Sequence, residues 1–172
     1  MTTATTAHTT TTPLAITQVL ELYADSLTSL RECVAPIPDE RMAEQFPALV
    51  NHPAWTLGHL VTANAFAVQL LDGQPALGIT LDRGVYGPGS TPTSVREQYA
   101  SKSELLAALG RVHEQVAAAI AARHDTHFAK PAPEALRGLA PTVGRIVLYL
   151  TTCHEPYHLG QLVQWKKAAG IA

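Results

Sequence analysis

Two histidines, His154 and His158, stand four residues apart in Cys153-His154-Glu155-Pro156-Tyr157-His158-Leu159-Gly160-Gln161. On a helix that spacing stacks both imidazoles on one face. Their stripe runs upstream through Val143, Val147 and Leu150 and downstream through Leu162 and Trp165, so both rings are expected to point along the core-facing line. Two such imidazoles can share one divalent ion at ~2.0–2.1 Å. The alternative is a pair of buried histidines bonded to backbone or side-chain partners. Gln161 returns to the stripe near His158 and is the candidate to orient it, or to make a helix-packing hydrogen bond. Glu155 could orient a histidine or act as a base. It lies about 100° around the helix from His154, which suits a solvated or salt-bridged side chain equally well.

The same residues match His-Glu-x-x-His, the zinc-protease pattern in which Glu is the general base. That reading fails. Only LGQLVQWKKAAGIA follows His158, with no His, Glu, Asp or Cys to complete a site. Pro156 also removes a backbone donor and should kink the helix. A third ligand must come from upstream. The candidate is His59, in Trp55-Thr56-Leu57-Gly58-His59-Leu60, on a stripe with Trp55, Ala63, Phe66 and Leu70. His52 competes, but it precedes Pro53 outside the helix and is less rigidly placed. Gly58 and Gly160, beside the candidate ligands, would permit close helix approach. His8 falls in an N-terminal tail, and His113, His124 and His127 suit solvated or capping roles. Arg83, Tyr86 and Arg96 could line a pocket or contact an acidic cosubstrate. Tyr157 and Trp165 suit core or interface positions. Cys33 and Cys153 occupy apolar helical contexts where a free thiol is inert.

The chain that must position these groups has 172 residues, enough for one domain with a sizeable core. Hydrophobic residues make up 47% and charged residues 15%, which excludes a disordered protein. Twelve Lys+Arg against fourteen Asp+Glu give a net charge of −2, which argues against a nucleic-acid binder. Two cysteines exclude a disulfide framework and a four-cysteine zinc site. Apolar runs fall short of the ~18 residues a membrane span needs. The opening MTTATTAHTTTT has neither the apolar core of a secretory signal nor the arginines of a transit peptide. Residues 1–12 are therefore expected as a disordered tail, and the protein as cytoplasmic, with a homodimer through a helix face possible on its high apolar fraction.

From residue 13 onward the pattern is helical. Ile16, Val19, Leu20, Tyr23, Leu27 and Leu30 recur at steps of three and four, and Pro36 and Pro38 end the run. A short helical turn falls in 39–50. A second helix runs from Pro53 or Ala54 to Leu71, closed by Asp72-Gly73. Residues 74–95 read as a long loop of the kind that often carries function. Ser101 or Ser103 caps a third helix to about His124, with Leu105, Leu109, Val112, Val116 and Ile120 as its stripe. A fourth starts near Pro141 and reaches Ala169. The expectation is an all-α four-helix bundle over residues 13–172, with a long loop between the second and third helices.

Asn51-His52-Pro53-Ala54-Trp55-Thr56-Leu57-Gly58-His59-Leu60 and His154-Glu155-Pro156-Tyr157-His158-Leu159-Gly160-Gln161-Leu162 together resemble the DinB-like superfamily of YfiT-like metal-dependent hydrolases. The resemblance spans helices two to four. It implies a four-helix bundle with a divalent metal, nickel or zinc, held by a triad falling on His59, His154 and His158. Relatives of that kind include thiol-dependent transferases and isomerases, alongside members of no known activity. The implied function is a metal-dependent S-transferase or hydrolase acting on a small-molecule substrate with a low-molecular-weight thiol. The alternative is a metal-binding stress-response or interaction protein with a vestigial site. Pro156 departs from a regular helical motif.

Overall fold

The computed structural model describes residues 16–171; the threonine-rich segment 1–12 and His8 lie outside the described residues. The fold is all-α, with no strand among those residues beyond the isolated bridges Phe46–Leu49 and Pro131–Thr142. Helix α1, Ile16–Val34, buries Tyr23, Ser26, Leu30, Cys33 and Val34, one face of a 3.6-residue repeat. Helix α2, Pro53–Leu70, starts with proline in its first turn and carries no charged residue. It is accordingly buried on most of its circumference.

The 71–101 connection, of which 74–95 is expected as a long loop, folds in part. Asp82 caps a one-turn helix α3, Arg83–Tyr86, and a 3-10 turn follows at Arg96–Gln98. Arg96, expected at a pocket or cosubstrate, has its guanidinium committed within the fold. Its guanidinium binds Asp39 at 2.6 Å and the Tyr99 carbonyl at 2.8 Å, stapling the connection to the end of the α1–α2 segment. Helix α4, Lys102–Ala121, begins with the capping box that its sequence announces: Ser101 and Glu104 satisfy each other's backbone donors. The stripe Leu105, Leu109, Val112, Val116 and Ile120 is buried as expected. A single turn, α5 (Asp125–Phe128), leads toward the C-terminal rod.

That rod, expected as one helix, has three parts: α6 (Val143–Tyr149), a π-helical turn at Leu150–His154, and α7 (Glu155–Ala168). Pro156 accounts for the break. It has no N–H to give and its ring crowds the carbonyl one α-turn earlier, a conflict that a wider turn relieves. The hydroxyls of Thr151 and Thr152 bond back to the Val147 and Leu148 carbonyls at 2.9 and 2.6 Å. The extra residue rotates everything after it. The buried line therefore passes through Glu155, His158, Leu162 and Trp165, while His154 sits half-buried at its edge. This corrects the expected stripe, which ran through His154.

Helix α4 and the C-terminal rod each pack against both α1 and α2. Between them lies one continuous apolar core. No helix among the described residues is long and apolar enough to cross a membrane.

Candidate metal centre

His59 is set from two sides. Trp55, one turn earlier on α2, stacks on its ring with centroids 4.6 Å apart and planes 8° from parallel. The Trp55 indole N–H donates to Ser90 Oγ at 2.9 Å, so the connection holds the stacking partner in place. The Nδ1 of His59 lies 2.8 Å from the Tyr86 carbonyl. That carbonyl can come so close because residue 58 is glycine: a Cβ there would overlap the Tyr86 ring. The close approach expected at Gly58 is thus made by an aromatic ring from α3. At Gly160 the added Cβ would meet open space, so no packing demand explains that glycine.

The tertiary fold brings His154 and His158 to His59. Ring centroids lie 5.1 Å apart for His59–His154, 5.0 Å for His59–His158 and 4.7 Å for His154–His158. One ring nitrogen from each falls within 4.8 Å of the other two. His59 Nε2 and His154 Nε2 are 3.2 Å apart. Two nitrogens bound at ~2.0–2.1 Å to one tetrahedral ion are about 3.3 Å apart, so this pair is already spaced for a shared metal. Tautomers follow from the partners. A carbonyl only accepts, so His59 protonates Nδ1 toward Tyr86 and keeps its Nε2 lone pair free. His158 Nδ1 lies 2.9 Å from Gln161 Oε1, which leaves its Nε2 free in the same way. Asn51 donates to that Gln161 oxygen at 3.1 Å, fixing the amide in turn. Acceptors outside the cluster thus aim two of the three rings, the usual arrangement around metal-binding histidines.

Burial keeps these imidazoles neutral, as metal ligands must be. It lowers the pKa of His59, and takes His158 to about 4 with help from the neighbouring His59. His154 falls to about 3 through burial and then the two histidines beside it. His52 is also depressed by burial, to about 4. It is not loosely placed: it is wholly buried and caps α2, accepting from the Trp55 N–H at 3.3 Å. Unfolded histidines take up a proton near pH 6.5, whereas these resist it in the folded state. Stability from them is complete above that pH and is lost as pH falls toward about 4. The metal-free protein should lose about 2 kcal/mol at pH 5 through His52 alone, with less from the half-exposed His154. Urea melts at pH 7.5 and pH 5 check this; equal midpoints would refute it.

Other histidines differ from expectation. His113 is buried, stacks on Tyr23 at 3.8 Å and meets Glu155 at 2.7 Å. Its register beside Leu109, Val112 and Val116 carried the signal for burial. His127 is buried with Nε2 3.0 Å from the Leu70 carbonyl, whereas His124 is exposed. Glu155 is neither solvated nor near enough to bond any of the three clustered histidines; Ser26, Asn64 and His113 occupy its oxygens. Cys153 is exposed and outside the cluster, correcting its expected apolar setting. Tyr157 is 64% exposed, with its ring 5.3 Å from that of His158, while Trp165 is buried as expected.

Residues 8–162 match the sequence profile of the DinB superfamily. No curated protein matches the chain.

Proposed function

The chain belongs to the DinB superfamily, and on that premise we propose that it is a metal-dependent enzyme transferring or adding a low-molecular-weight thiol to a small electrophilic substrate. In this reading its four long helical segments form a four-helix bundle, and the 71–101 connection covers the site. The observation that carries the metal is the convergence of three neutral imidazoles, two with lone pairs aimed by their partners. Zinc or nickel suits an all-imidazole donor set. Such an ion keeps its charge uncompensated and its remaining positions open, and supplies a Lewis acid that lowers the pKa of a thiol or of water.

The protein's own part is to hold the rings and shield them. Tyr86 and Gln161 orient His59 and His158, and Trp55 covers one face of His59. Thiol chemistry is set ahead of hydrolysis because Glu155, the carboxylate nearest in sequence, is held by Ser26, Asn64 and His113 and is not placed to assist the ion in activating water. A thiol is acidic enough to need no such base.

The test has two parts. Purified protein, as isolated and after incubation with zinc or nickel, should carry about one ion per chain by elemental analysis. Loaded protein should then accelerate loss of a thiol in the presence of a panel of small electrophiles. Protein that takes up no metal ends the metal reading. Metal uptake without thiol turnover, but with ester or amide hydrolysis, would move the assignment to a hydrolase; metal uptake with neither would favour a non-catalytic metal-binding protein.

A further inference from the structure

Glu155 is the one carboxylate fully buried among the described residues. It is also the first residue of α7, directly after the π turn. Its Oε1 accepts from His113 Nε2 of α4 at 2.7 Å and from Asn64 Nδ2 of α2 at 2.6 Å. Its Oε2 accepts from Ser26 Oγ of α1 at 2.9 Å. One side chain therefore ties the C-terminal rod to all three other long helices at a single level.

Stability does not explain such a node, since a buried polar or ionic cluster is often replaced by apolar residues without loss. Register does. The apolar line of this rod can be drawn through His154, with Val147, Leu150 and Leu162, as readily as through residue 155. A rotation by one residue, roughly 100°, would turn His154 into the core and carry His158 away from His59. With residue 155 pinned inward, His154 and His158 both fall on the same side of it, by roughly 100° and 60°.

We propose that Glu155 is a positioning residue: by bonding Ser26, Asn64 and His113 it fixes the rotation of the helix after the π turn, and so aims His154 and His158 at His59. The inference rests on the proposed metal site for its consequence. Its geometric core, the meeting of His59 and His154, stands apart from any metal.

The test replaces the node by apolar residues of similar volume, Glu155→Met with His113→Leu and Asn64→Leu. That variant should fold with a melting temperature at or above the wild-type value, yet lose the His59–His154 ring contacts seen by NMR in metal-free protein. Its zinc affinity should fall at least tenfold, and adding His154→Ala should cost less than a further twofold. Glu155→Gln, which retains an acceptor for Asn64 and His113, should stay within threefold of wild type. An apolar variant that folds with ring contacts and zinc affinity intact overturns the proposal, as does a His154→Ala cost that is undiminished in it. Should the apolar variant not fold, Ser26→Ala with Asn64→Ala takes its place, with an expected threefold loss of affinity and weakened ring contacts; unchanged values there overturn it equally. A wild type that shows the ring contacts but binds no zinc refutes the proposed function, and the NMR comparison still decides this inference.

Discussion

His59→Ala should lower zinc affinity by roughly a thousandfold, about 4 kcal/mol, while leaving the helical content intact. A complete zinc site in a small domain is worth about 10–16 kcal/mol at neutral pH, so one ligand of three or four carries several of them. His59 is the least replaceable of the three. It is the one donor from α2, and the remaining pair lies on a single helix end with no third nitrogen among the described residues to converge on it. His52, just before α2, is committed to capping that helix and cannot move in. Truncation also leaves the Tyr86 carbonyl without its donor, a cost of about 1–3 kcal/mol to the metal-free protein. Competition titration against a chromophoric chelator gives the affinity, and far-ultraviolet circular dichroism confirms the fold. An affinity within threefold of wild type would remove His59 from the site.

Gly58→Ala should reverse its sign of effect according to what stands at residue 86. Alanine in place of a helical glycine ordinarily gains about 1 kcal/mol. Here the new Cβ would overlap the Tyr86 ring. That ring cannot simply swing aside. It is 3% exposed, its hydroxyl accepts from the Ala100 N–H at 2.9 Å, and its own carbonyl binds His59. Overpacking of this kind costs about 1–3 kcal/mol. The expected net result is destabilisation of up to about 2 kcal/mol, with zinc affinity about tenfold lower as the Tyr86 carbonyl leaves His59. In a Tyr86→Ala background the obstacle is gone, and Gly58→Ala should then raise stability by about 1 kcal/mol. Denaturant melts of the four proteins decide it. If Gly58→Ala stabilises the wild type, the ring is not held as described.

Both results turn on features of different legibility. The helices were readable because their apolar residues repeat at three and four and their ends carry local signals: Ser101 with Glu104 at the start of α4, Pro53 at the start of α2. The histidine cluster was readable because imidazoles at 154 and 158 share a helix face at any register, and Trp55 and His59 share another. Burial of Glu155 was not readable. An unbroken helix places it to the side of His154, and only the π turn brings it inward. Nor was the role of Tyr86, whose contact with Gly58 joins residues 28 apart through an irregular connection that no periodicity describes.

Local chemistry along the chain thus settles where the long helices run and which three histidines can donate. Periodicity and capping act within a few residues, and a histidine's donor atoms do not depend on context. The packed molecule settles the direction of those donors. The π turn arises where the backbone demands of Pro156 meet the bonds of Glu155 to three other helices, and the His59 tautomer depends on a carbonyl admitted by a missing Cβ. These are contacts across the fold, and a rotation of about one residue in either helix would leave the same three histidines unable to meet.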